Sequence, residues 1–72
     1  SAEERAARKE LATTERKLEK LGERTAELHE RLAAHDHGDY AGLQRLAEEL
    51  QALEAETAVL EERWLELSEL VD

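Results

Sequence analysis

Leucines and threonines fall at alternating steps of three and four through most of this chain, and no proline interrupts them. Leu11, Thr14, Leu18, Leu21, Thr25, Leu28 and Leu32 form one run. Leu43, Leu46, Leu50, Leu53, Thr57, Leu60, Trp64, Leu67 and Val71 form a second. Such stepping is the a/d seam of a heptad repeat, with Leu11 and Leu43 at a, Thr14 and Leu46 at d. The intervening residues are mostly Ala, Glu, Lys, Arg and Gln, all good helix formers. The spacing therefore predicts an all-α chain with helices over about residues 4–34 and 41–70. Extended backwards, the frame puts Ala7 at d and Glu4 at a, so the first turn is expected to be weakly held.

Between the runs, His35-Asp36-His37-Gly38-Asp39-Tyr40 breaks the frame and marks a loop over about residues 35–40. Gly38 suits a left-handed helix C-cap, and Asp39 suits an N-cap for the second helix. So short a connection predicts a two-helix antiparallel coiled-coil hairpin, one domain over residues 1–72. In that arrangement, residues whose numbers sum to 78 put an a position opposite a d position throughout. Leu32 meets Leu46, Leu28 meets Leu50, Leu18 meets Leu60, Thr14 meets Trp64 and Leu11 meets Leu67. The expected seam is thus Leu11, Leu18, Leu21, Leu28, Leu32, Leu46, Leu50, Leu53, Leu60, Trp64 and Leu67, with Trp64 anchored over Thr14 and Leu11. Among the flanking g positions, Arg24 is expected near Glu56 and Arg31 near Glu49, while Lys17 falls near Arg63.

Composition narrows the function. No cysteine is present, which removes disulfide frameworks and thiolate metal sites. No apolar run approaches the roughly 18 to 20 residues of a membrane span, and no signal peptide is expected before the charged start. A hairpin that buries a single seam has no interior for an enclosed ligand pocket, so catalysis by this segment is not expected and no catalytic residue is assigned. His29, His35 and His37 with Asp36 and Asp39 have the chemistry of a metal cluster but poor spacing for one, and read as surface residues near a turn. Neither a metal nor a cofactor is expected here. Tyr40 is expected to close the end of the hairpin against Leu32 or Leu43, with a contact at the tip as the alternative.

Charge divides unevenly. Residues 1–34 carry eight basic and eight acidic side chains, whereas residues 35–72 carry two basic and eleven acidic ones. That crowding predicts carboxyl pKa values raised by mutual repulsion, and a hairpin that gains stability on mild acidification. It also predicts weak binding to a phosphate backbone, through the first helix alone.

The order of motifs resembles a known family. A heptad helix opens with Arg8-Lys9-Glu10-Leu11, and an acidic loop ends in Asp39-Tyr40. Leu43-x-x-Leu46-Ala47-Glu48-Glu49-Leu50 follows, and the chain closes on Glu61-Glu62-Arg63-Trp64-Leu65-Glu66-Leu67. These features resemble the C-terminal coiled-coil domain of ABC-F ATPases of the Uup type, a hairpin that follows two ATP-binding cassettes. The resemblance implies a fragment of a larger, cytoplasmic ATPase that uses ATP and Mg in domains absent here. It further implies an accessory role in contacting ribosome, RNA or DNA, for which Arg16, Lys20, Arg24, Arg31 and Tyr40 are the candidate residues. The other expected partner is the parent's own cassettes, and the isolated domain is expected to be a monomer. The alternative is a structural or protein-interaction coiled coil that packs on its own ATPase body or self-associates through Leu65 and Leu70.

Overall fold

The computed structural model describes residues 1–71. Two helices, α1 (Ala2–Ala34) and α2 (Tyr40–Leu70), run antiparallel as a hairpin with extents of 57 × 15 × 13 Å. Helix α1 starts two residues before the expected position, because Ser1 is a working N-cap: its Oγ accepts the Glu4 N–H at 3.2 Å. Glu3 and Glu4 in the first turn and Arg31 in the last lie favourably on the helix dipole. Helix α2 begins at Tyr40, which the sequence had put in the loop, since the Asp39 carboxylate accepts the Gly42 N–H at 3.1 Å.

The turn departs from expectation at Gly38. No described residue has a positive φ, and the C-cap of α1 is His35 in an extended conformation (φ −69°, ψ 148°). Chain reversal comes instead from Asp36, whose side chain accepts the Gly38 N–H (2.9 Å) while its carbonyl accepts the Asp39 N–H (3.0 Å). A side-chain acceptor thus supplies what a left-handed glycine would have supplied.

Burial follows the heptad with a consistent asymmetry. The d residues Ala7, Thr14, Leu21, Leu28, Leu46, Leu53 and Leu67 are buried, and Leu60 is half-buried. Every a residue from Leu11 to Val71 is only half-buried: Leu11, Leu18, Thr25, Leu32, Leu43, Leu50, Thr57, Trp64 and Val71. On a helical wheel d lies beside g, and a lies beside e. The g positions of α1 carry long charged side chains (Glu10, Lys17, Arg24, Arg31) beside the d residues. The e positions mix the short Gly22, Ala47 and Ser68 with the longer Arg8, Glu15, Glu54 and Glu61. The hairpin has two long grooves, one along the g/d edge and one along the a/e edge.

Candidate functional site

Three shallow clefts mark the g/d groove. Beside the turn, Arg31, Ala34, His35, Gly42, Arg45, Leu46 and Glu49 line a cleft of about 520 Å³. At mid-length, Lys17, Lys20 and Arg24 surround Leu21 and Leu60, with Glu56 opposite. Near the chain ends, Glu10 and Arg63 border Ala7, Leu67 and Leu70. The a/e groove is lined differently, by Leu18, Glu61, Trp64 and Leu65 in one cleft and by Gly22, Thr25, Glu54, Thr57 and Glu61 in the next. All five are open troughs, not enclosed cavities.

Electrostatics within the g/d groove are set by which cations are already engaged. Arg63 is locked: Nε and Nη2 donate to the two Glu10 carboxylate oxygens at 2.6 and 2.9 Å, and Nη1 donates to Glu66 at 3.0 Å. Donating to Glu10 and Glu66 raises the Arg63 pKa, and the bond from Arg63 holds the Glu10 carboxyl below its ordinary value. Arg63, placed near Lys17 by the g-position spacing, engages the acid one heptad nearer the chain ends, and the charge of Lys17 acts on that same Glu10. Arg24 and Glu56 lie beside one cleft, as do Arg31 and Glu49, near each other as expected, but neither pair forms an ion pair among the described residues. Those cations keep their hydrogen-bonding capacity for solvent or a partner.

At the turn, His35 Nε2 donates to Asp39 Oδ2 at 2.9 Å. That bond, then the Gly42 N–H, lowers the Asp39 pKa. Both carboxyls that shift clearly thus move down, not up as acid crowding predicted, because each has a local donor closer than its neighbouring acids. Among the described residues no group of three or more His, Cys, Asp or Glu side chains is placed to hold a metal ion. His35 and Asp39 are committed to each other, and His29 lies one helical turn or more from both.

The candidate contact residues do not form one surface. Lys20, Arg24 and Arg31 lie together on the c/g edge of α1. Arg16 faces the outer side of that helix, where Nη2 donates to Thr13 Oγ1 at 3.2 Å. Tyr40, at an e position, is on the opposite edge and 79% exposed, so it does not pack on Leu32 or Leu43 as expected. The first turn of α2 leads its ring away from the seam. Arg45 was missed by sequence reasoning and shares the turn cleft with Arg31. The signal available for it was its c position, five residues past the turn, on an edge that the hairpin folds back beside Arg31. Trp64 borders a cleft with Leu18, Glu61 and Leu65, and Thr14 is buried.

The family model described as ABC transporter C-terminal domain matches residues 2–69. The chain belongs to that family. Searches of curated proteins and of solved structures find no match. For this ABC transporter C-terminal domain, the family agrees with the resemblance to the ABC-F hairpin, and the match spans both helices and the turn. The family implies ATP and Mg in the parent. No helix among the described residues is long and apolar enough to cross a membrane.

Proposed function

We propose that this hairpin, as one domain, is a non-catalytic accessory arm of a cytoplasmic ABC-F ATPase, and that it contacts ribosome, RNA or DNA for the parent. ATP hydrolysis with Mg belongs to the parent's cassettes, beside which the arm is attached. The observation that carries this reading is the run of unengaged cations along one groove, from Lys17, Lys20 and Arg24 to Arg31 and Arg45 at the turn. Lys17, Arg24 and Arg31 repeat every seven residues, a spacing of about 10 Å on a helix. Fixed cations at such intervals attract a polyanion without reading its sequence. Arg16 and the exposed Tyr40 lie at the margins of this footprint and contribute less.

The net charge of −9 limits the affinity of the isolated domain. Binding no tighter than about 10⁻⁴ M at physiological salt is expected, the loose end of non-specific affinity. The test is titration of the isotope-labelled domain with duplex DNA and with single-stranded RNA at low salt. Amide shifts should centre on Lys20, Arg24, Arg31 and Arg45, leave Glu54 and Glu61 unmoved, and disappear as salt is raised to about 200 mM. Shifts confined to the a/e groove, or none at all at low salt, would refute the nucleic-acid role. They would favour docking on the parent's own ATPase body.

A further inference from the structure

The open a/e groove has a self-complementary layout, independent of the cationic groove on the other side. Its exposed apolar centre is Leu65, 58% exposed, beside half-buried Trp64 and Leu18. Toward the turn from this centre the groove is acidic, with Glu15 and Glu19 on α1 and Glu61 on α2. Toward the chain ends it is basic, with Arg5 and Arg8, which take part in no ion pair among the described residues. The midpoint between the two charged groups falls at Ala12, a b position whose small side chain permits close approach of a second helix.

We infer that this groove binds a second copy of the same chain, antiparallel, about a two-fold axis passing beside Ala12 and Leu65. In that arrangement each copy's Arg5 and Arg8 face the other's Glu15, Glu19 and Glu61, and the two Leu65 side chains meet at the centre. A parallel pairing would set acid against acid. The antiparallel dimer departs from the monomer expected on sequence grounds.

Sedimentation equilibrium of the 72-residue chain, followed by oxidative cross-linking, tests the arrangement. A concentration-dependent dimer is expected. Leu65→Glu should weaken it by about tenfold or more, since it removes apolar area and adds like charge at the axis. Arg5→Glu should weaken it too, and adding Glu19→Arg to Arg5→Glu should restore it. The native chain has no cysteine, so single cysteines report position cleanly. Ala12→Cys should form an intermolecular disulfide readily, and Glu48→Cys, on the outer face of α2, should not. Monomer at every concentration to about 1 mM would overturn the inference and leave the groove to the parent's cassettes. A dimer indifferent to Leu65→Glu would equally overturn it, as would one that cross-links no better through Ala12→Cys than through Glu48→Cys.

Discussion

Replacing Gly42 by alanine tests the turn most sharply, because helix propensity and packing there push in opposite directions. Gly42 is buried in the first turn of α2, and a Cβ added to it would lie 2.8 Å from Asp39 Cγ and closer still to Asp39 Oδ2 and His35 Nε2. Something must move, and what moves is the Asp39 carboxylate that caps α2 and holds His35. Displacing that carboxylate forfeits the cap, at a cost of about 0.5–2 kcal/mol, together with the bond to His35, and the better helix propensity of alanine returns at most about 1 kcal/mol. The expected net is a loss of roughly 1 kcal/mol, or a Tm lower by about 4–8 °C in a domain of this size. Gly22→Ala is the control. Its added Cβ meets nothing within 4 Å, so propensity acts alone and the hairpin should gain about 0.5–1 kcal/mol. Circular dichroism at 222 nm during heating and urea unfolding would measure both. Asp39→Ser, which keeps a cap but shortens the side chain, should relieve most of the Gly42→Ala penalty. If Gly42→Ala stabilises as much as Gly22→Ala, the crowding at the turn is wrong.

The d/a asymmetry predicts unequal costs in the seam. Leu28→Ala should lose about 3 kcal/mol in urea titrations and Leu18→Ala roughly half of that, because Leu18 is already half in water. The pH profile follows from Asp39 and Glu10, both held below their ordinary values of 3.8 and 4.5. Their contribution is complete above those values and lost as pH falls through the lowered ones, so Tm should hold from pH 7 to about 5 and drop below about 4. Asp39→Asn with Glu10→Gln should flatten that drop in melts across the same range. Nuclear Overhauser contacts from Trp64 should reach Thr14 and not Leu21, and the reverse would displace the expected register by a heptad.

Both helices and their antiparallel course were legible in the leucine spacing, because a 3.5-residue period leaves few other solutions. Asp39 as a cap was legible for the same reason that capping is local. What the seam lettering hid was the unequal burial of a and d, which depends on how far the neighbouring e and g chains reach. The choice of Glu10 by Arg63 likewise depended on geometry between helices, where a difference of one heptad, about two turns, exchanges a repulsive neighbour for an attractive one. Gly38 misled because glycine near a helix end usually signals a left-handed cap, and Asp36 did that work with its side chain. Arg45 escaped notice because the reversal that brings it to Arg31 joins residues from opposite halves of the charge division.

Ser1 and Leu70 border the same cleft, at the end of the hairpin farthest from the turn. A mechanical load applied through those two ends therefore pulls the helices apart sideways rather than sliding them past each other. In that geometry the layers fail in sequence. The Glu10–Arg63 bridge and the Ala7 and Leu67 contacts yield first, and the turn with its Asp39 clasp yields last. A load pushing lengthwise on the turn would instead be shared by all layers together. The same 57 Å hairpin is thus a weak zipper under tension at its base and a stiff strut when pressed at its tip.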